Sequence, residues 1–200
     1  MVTEIELKAH VQDSEALKRC LSEKSVFLCS FEKNDTYWLY DEVDYDANCH
    51  KVSGLPPSGL RVRSEKRIFS DGSEESTTYA TYKIKEVRDG IEINEEHEFE
   101  VHPTNGHDNL DFKDFLGRIG LKPGASKRKQ GWAFSHEGIS AELLEVDGIG
   151  WFVELEIVAD NPREETFTKG KQRLLDFLAS LEIGKDKIES RFYSEMLKNL

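Results

Sequence analysis

The sequence predicts an α+β fold: an antiparallel β-barrel of about eight strands, with a charged tunnel inside and helices packed outside. Three observations lead there. In the opening stretch EIELKAHV, Glu4, Glu6, Lys8 and His10 take every second position, and Ile5, Leu7, Ala9 and Val11 fill the places between. Side chains of a strand alternate between its two faces, so one face is apolar and the other ionic. The same alternation recurs in LRVR, TYKIK, EEHEFEV, KRKQGWAF and VELEIV. Finally, like charges are grouped within strands, whereas a merely solvated face would scatter them among Ser, Thr, Asn and Gln, because adjacent like charges cost stability. A sheet curled with its ionic face inward and its apolar face under helices satisfies both faces.

Taken in order, Asp13 or Ser14 caps a helix whose Ala16, Leu17, Cys20 and Leu21 share one side. From Val26 to Arg88 the chain reads as strands SVFLCSFEKNDTYWLYD, GLRVRSEKRIF and STTYATYKIKEV. The long loop DEVDYDANCHKVSGLPPSG interrupts them, broken by Gly54, Pro56, Pro57 and Gly59. An Asp89-Gly90 turn leads into NEEHEFEV. A helix from about Asp108 to Ile119 buries Leu110, Phe115, Leu116 and Ile119. KRKQGWAFSH and ISAELLEV are strands, as is WFVELEIVA after Gly148-Ile149-Gly150. Asn161-Pro162 opens a helix to about Leu181 that Gly184 ends, and KIESRFYSEMLKNL forms a short C-terminal helix. No repeat, low-complexity tract or linker divides the chain, so residues 1–200 are expected to form a single domain.

Two hundred residues with 38% hydrophobic content support one sizeable core. The net charge of −12 and pI near 5.0 exclude a nonspecific nucleic-acid coat and an anionic-membrane binder, which need a basic surface. With no run approaching the roughly 18 apolar residues of a membrane span and no leader-like N-terminus, a cytoplasmic protein is expected. Cys20, Cys29 and Cys49 show no CxxC spacing, and Cys49-His50 is too small a set for a metal knuckle.

The charged faces specify a chemistry. Arg61 and Arg63 share a face, Lys83 and Lys85 share another, and Lys127 with Lys129 points opposite to Arg128. Such cations neutralise a polyphosphate, Arg through its fork and Lys as a point charge. Glu96, Glu98 and Glu100 line one face of their strand, and Glu154 and Glu156 repeat the pattern of Glu4 and Glu6. Carboxylate clusters suit Mg²⁺ or Mn²⁺, which bridge to phosphates. Glu4 or Glu6 with Glu154 and Glu156 would share a site if the first and last strands are neighbours. Phosphoryl transfer rests on positioning and charge stabilisation, so no nucleophilic Ser or Cys is required.

These residues resemble the CYTH group, the triphosphate tunnel metalloenzymes: EIELK matches its ExExK signature, and NDTYW, LRVR, TYKIK, EFEV, the KRK cluster, GIGWFVELEI and RFYSEML follow in order. The resemblance implies metal ligation by Glu4, Glu6, Glu154 and Glu156, with Glu98, Glu100 and Glu142 as further carboxylates. It implies phosphate binding by Lys8, Arg61, Arg63, Lys83, Lys85 and members of the cluster Lys127, Arg128 and Lys129. Glu6, Lys8, Lys83 and Glu156 are the catalytic candidates, with Mg²⁺ or Mn²⁺ as cofactor. Many cyclase-like members have an Asp shortly before their GLG-like segment; this chain reads AELLEVDGIGWF there, which leaves Glu142, Glu145 or Asp147 to take its place, according to where a gap falls. Strand parity leaves either Lys127 with Lys129, or Arg128 alone, facing inward.

The implied activity is a class IV-like adenylyl cyclase converting ATP to cyclic AMP and pyrophosphate. The alternatives are a triphosphatase acting on inorganic, thiamine or nucleotide triphosphate, and a noncatalytic nucleotide or polyphosphate binder. The partner is a small-molecule triphosphate, with no nucleic acid and no membrane, and the protein is expected to be a monomer or homodimer. Plainer roles suit other residues. Lys66 and Arg67 read as solvated turn charges, His10 and His97 as satisfied or exposed histidines, and Trp38, Trp132 and Trp151 as shell or rim aromatics. Arg191 and Tyr193 match the cyclase-like C-terminal segment, although helix packing accounts for Tyr193 equally well.

Overall fold

The computed structural model describes residues 2–40, 60–102, 110–159 and 164–197. Its elements are β1 (Val2–His10), α1 (Ser14–Lys24), β2 (Val26–Tyr40), β3 (Leu60–Phe69), β4 (Glu74–Arg88), β5 (Ile91–Glu100), α2 (Leu110–Arg118), β6 (Leu121–His136), β7 (Ile139–Val146), β8 (Gly150–Ala159), α3 (Glu164–Ser180) and α4 (Tyr193–Leu197). The loop at 41–59 with Cys49-His50, the helix start at Asp108 and the Asn161-Pro162 cap lie outside the described residues.

All eight strands close into one barrel in the order β1-β5-β4-β3-β2-β6-β7-β8, every pairing antiparallel. The expected barrel with helices outside is therefore present. Two tight hairpins set local registers. Asp89 and Gly90 (φ 53° and 78°) join β4 to β5, and Glu137 and Gly138 (φ 47° and 79°) join β6 to β7. Positive φ at both central residues matches the twist of the flanking strands, and a glycine at the second place takes it without strain.

Ile5, Leu7 and Ala9 face outward beneath α3, with Phe134, Leu143, Val153 and Leu155 in the same buried cluster. α3 contributes Phe167, Leu174, Phe177 and Leu178, and α1 contributes Leu17 and Leu21. α1 starts where the sequence indicates, with the Asp13 carboxylate accepting from the Ala16 N–H at 2.9 Å. α2 covers a smaller patch made of Trp38, Val62, Leu116 and Leu121. The apolar faces of the strands thus hold the helices on, and the opposite faces are left to line the bore.

Three expectations are corrected. Phe115 and Ile119, expected to be buried, are about half exposed, and it is Leu116 that α2 turns onto the barrel. Lys66 and Arg67 lie inside β3, not in a turn, since that strand continues to Phe69. The C-terminal segment is not one helix: a 3₁₀ turn at Lys185–Lys187 gives way to extended chain before α4 begins. The reason is an open strand edge. β5 pairs with β1 only as far as Glu6, and beyond it Ile188 bridges to Ala9 and the Glu189 N–H donates to Lys8 O at 2.9 Å. α4 then packs Tyr193 and Met196 on Phe31, Leu144, Val146 and Phe152, an apolar layer at one end of the bore.

Gly131 of β6 is the tightest point of this layer. A Cβ there would meet Leu143 O at 2.0 Å and Leu144 Cα at 2.7 Å, both backbone atoms of β7. Gly131→Ala is expected to lower stability by about 1–3 kcal/mol or more, because neither strand can yield without breaking the ladder. Chemical denaturation of the variant beside the parent checks this.

Candidate functional site: a charged tunnel

The inward faces converge on one cavity. Among its described lining residues are seven basic side chains, Lys8, Lys33, Arg61, Arg63, Lys83, Lys127 and Lys129, and eight carboxylates, Glu4, Glu6, Glu92, Glu96, Glu98, Glu142, Glu154 and Glu156. Opposite charges in a bore of low dielectric hold together only when paired and hydrogen-bonded. Most of them are.

On one wall the pairs are nearly one to one. Asp35, its side chain fully buried, accepts from Arg63 Nε at 2.7 Å and from Arg63 Nη2 at 3.1 Å, with Lys127 Nζ 3.5 Å away. Burial alone would raise the Asp35 carboxyl, but Arg63 and Lys127 hold it well below its ordinary range. Lys129 Nζ donates to both oxygens of Glu154 at 2.8 and 2.9 Å, which likewise outweighs burial and keeps Glu154 ionised. Lys33 reaches Glu142 at 2.5 Å, Lys8 binds Glu92, and Arg61 Nη2 reaches Glu98 at 3.1 Å and Thr81 Oγ1 at 3.0 Å. Opposite Arg61 in the β2–β3 register sits Tyr37. Burial would raise its phenol, yet Lys127 beside it brings it down to about 8.

The other wall is different. Glu4, Glu6 and Glu156, brought side by side by the β1–β8 register, place carboxylate oxygens within 4.8 Å of one another. Burial together with the Glu4 and Glu6 charges pushes the Glu156 carboxyl up to about 8. Glu4 rises to about 7, burial outweighing the pull of Lys83. Among the described side chains, Lys83 is the cation in contact with this trio: its Nζ lies 3.0 Å from Glu4 Oε2 and 3.6 Å from Glu6 Oε2, and it also binds Glu96. Burial would raise Glu96 too, but Lys83 overrides it and Glu96 falls to about 2. Asn94 Nδ2 donates to Glu6 Oε2 at 3.0 Å. A set of all-oxygen, like-charged and under-compensated ligands fits a hard divalent cation such as Mg²⁺ or Mn²⁺.

Of the residues expected from sequence, Glu4, Glu6, Lys8, Arg61, Arg63, Lys83, Lys127, Lys129, Glu98, Glu142, Glu154 and Glu156 meet in the bore. Arg128 does not. Its alternation with Lys127 and Lys129 turns it outward, where it pairs with Glu32 at 2.9 Å. That resolves the parity alternative in favour of the two lysines. Glu100 also lies away from the cavity, at the end of β5, half exposed beside His102. Glu154 sits apart from the acidic trio because Lys129 engages both its oxygens. Of Lys85 only the backbone register, opposite Asn94, is described. The sequence reading omitted Lys33, Asp35, Tyr37, Thr81, Glu92 and Asn94, and gave Glu96 no role. Parity along FEKNDTYW would have grouped Lys33, Asp35 and Tyr37, and starting β5 at Ile91 would have added Glu92.

With this geometry in place, comparison with known proteins is decisive. The CYTH domain profile matches residues 2–193. The chain belongs to the CYTH family. It is 24% identical over 194 residues to a Methanocaldococcus jannaschii protein named "putative adenylate cyclase", covering 96% of this chain and 97% of that one. A Pyrococcus horikoshii OT3 structure superposes with a TM-score of 0.73 at 22% identity, covering 98% of both chains. A Hippeastrum structure, described as a "putative adenylyl cyclase" with a dominant triphosphatase activity, superposes with a TM-score of 0.60 at 17% identity, over 98% of this chain and 94% of that one. The closed barrel is the CYTH triphosphate tunnel domain. Among the described residues, no helix is long and apolar enough to cross a membrane.

The two walls respond oppositely to amide substitution. Glu156→Gln removes a carboxyl whose ionisation burial and its acidic neighbours oppose, so the metal-free variant is expected to be at least as stable as the parent. Glu154→Gln leaves buried Lys129 without its carboxylate and is expected to cost about 3–5 kcal/mol. Urea denaturation of both variants without divalent cations checks the contrast.

A pH dependence follows from the same wall. The Glu4 and Glu156 carboxyls are raised in the folded state, so their contribution is fully present below about pH 4.5 and is lost as pH rises through 7 to 8. The metal-free protein is therefore expected to melt at progressively lower temperature between about pH 5 and 8.5, Mg²⁺ reversing the loss and Glu156→Gln flattening it. A level melting profile over that window would contradict the crowding of the trio.

Proposed function

We propose that this protein turns over a nucleoside triphosphate inside the tunnel with Mg²⁺ or Mn²⁺, as an adenylyl cyclase of the class IV type. The observation that carries the reading is the division of one bore into a cation-rich wall and an acidic trio. Arg61, Arg63, Lys127 and Lys129 suit a chain of phosphates, and Glu4, Glu6 and Glu156 suit the divalent cation that accompanies it. The bound cation would supply charge neutralisation at the phosphoryl oxygens. Around it, the Asp35 grip fixes the Arg63 guanidinium in the wall of the bore. Lys8 and Lys83 face the bore as well and can neutralise the leaving group. In the cyclase reaction the ribose 3′-oxygen bonds to the α-phosphorus, the bond to the β-bridging oxygen breaks, pyrophosphate departs with that electron pair, and the hydroxyl proton leaves through the acidic wall to solvent. The name borne by the Methanocaldococcus relative supports this choice.

A second reading, triphosphate hydrolysis, is favoured by the activity described for the Hippeastrum protein of the same fold. Water then replaces the ribose oxygen and attacks a terminal phosphorus. Incubating the purified protein with Mg²⁺ or Mn²⁺ and, separately, ATP, inorganic triphosphate and thiamine triphosphate, and resolving the products, decides between them. Cyclic AMP with equimolar pyrophosphate is expected. Phosphate released together with the matching diphosphate (ADP, pyrophosphate or thiamine diphosphate) and no cyclic AMP identifies a hydrolase, and no turnover of any substrate would leave the binding module.

The cation-rich wall has its own test. Arg63→Ala is expected to lower kcat/KM by about tenfold to a hundredfold, the worth of one charge-assisted hydrogen bond of roughly 1.5–3 kcal/mol. Arg63→Lys should recover part of it, since a point charge does not reproduce the fork. Steady-state kinetics at saturating metal measure both.

A further inference from the structure

Lys83 stands in an unusual relation to the acidic trio. Its ammonium touches two of the three carboxylates, Glu4 at 3.0 Å and Glu6 at 3.6 Å, and so sits where their charge is most concentrated. It reaches them across an intervening strand: its own neighbour in the register is Glu96 of β5, and β1 lies beyond. Lys83 therefore has two sets of partners. Leaving Glu4 and Glu6 would not strand it, because Glu96 remains bound. Lys129 has no such latitude, since it engages both oxygens of Glu154.

A divalent cation and this ammonium compete for the same place. An ion held by Glu4 and Glu6 would draw on the same carboxylate oxygens that the ammonium now engages, and two cations on one pair of carboxylates repel strongly in a poorly solvated bore. Resting on the metal reading above, we propose that Lys83 is an internal stand-in for the divalent cation, occupying the trio in the metal-free protein and swinging back onto Glu96 when the metal enters. Lys83 is then a positioning residue for both partners of the reaction. It keeps the empty trio from repelling itself apart, and its displacement by metal delivers a positive charge to the bore as the triphosphate arrives. Metal and anion sites are thereby coupled through one side chain.

The test measures Mn²⁺ binding by calorimetry or electron paramagnetic resonance, without nucleotide, near pH 8. Lys83→Gln is expected to bind Mn²⁺ about tenfold more tightly or better, because a competing unit charge is gone. Lys83→Arg, which keeps the charge, and Arg128→Ala, which lies outside the bore beside Glu32, should stay within about twofold of the parent. In the parent labelled with ¹⁵N at lysine side chains, Mg²⁺ should shift the ammonium resonance that Lys83→Arg removes, a measurement that does not depend on the Gln variant folding. Equal or weaker Mn²⁺ binding by folded Lys83→Gln, or an unmoved Lys83 resonance when metal binds, would overturn the stand-in role while keeping the trio as a metal site. Absence of Mn²⁺ binding in parent and variants alike would overturn the metal reading and this inference with it.

Discussion

Every other feature of the fold depends on one constraint: many ionic side chains must be buried together, and each must be compensated. Taking a charge out of water costs several kcal/mol even after relaxation, and only a partner with good geometry offsets it. A flat sheet would leave the partners on different strands too far apart. Closure of β8 onto β1 brings Glu156 beside Glu4 and Glu6, and closure through β2 and β6 brings Asp35 to Arg63 and Lys127. The apolar outer faces and the helices on them are the complement of this requirement. They bury enough surface to hold the charged faces together.

Compensation is not uniform around the bore, and the unevenness separates scaffold from site. Where acid and base are matched, as in Arg63–Asp35 and Lys129–Glu154, the pairs are locked and hold cations in fixed orientations. Where carboxylates outnumber cations, as around Lys83, partners can be exchanged. Among the described residues, seven basic and eight acidic side chains line the bore, which is thus close to neutral although the whole chain carries −12. A cavity so balanced has little net attraction for a bare polyanion or a bare cation. It favours the two arriving together, each matched to its own wall.

The sequence made the alternation legible, and with it the barrel, the inward set from Glu4 to Lys8, and Arg61, Arg63 and Lys83. What it hid has physical reasons. In β2 the outward face carries Glu32 and Asn34 as well, so Lys33 and Asp35 did not stand out against an apolar background. Arg128 could not be separated from its neighbours without the register of β6 on β2, which a hairpin rule does not supply because those strands lie far apart in the chain. The pairing of each acid with its base is likewise a property of strand order. Local turns fix β4 with β5 and β6 with β7, but β1 between β5 and β8 follows only from closure. The extended Ile188–Glu189 segment was missed for the same reason, as its conformation answers an open edge on β1 rather than any preference of its own.

On the proposed function, a bore organised in this way would select its reaction by the placement of the phosphate chain. The locked cations would bind phosphates without regard to what is attached to them, and a metal held by the trio would bear on whichever phosphorus stands opposite it. With the α-phosphorus there, a ribose hydroxyl is the nearby nucleophile. A chain displaced along the bore presents a terminal phosphorus to water instead. On that reading Arg61, held by Glu98 and Thr81, and Lys129, held by Glu154 beside Tyr193, would bear on the outcome more than the trio itself. One family can on this view contain both chemistries without altering its carboxylates, because a shift of one phosphate requires only that the end contacts differ.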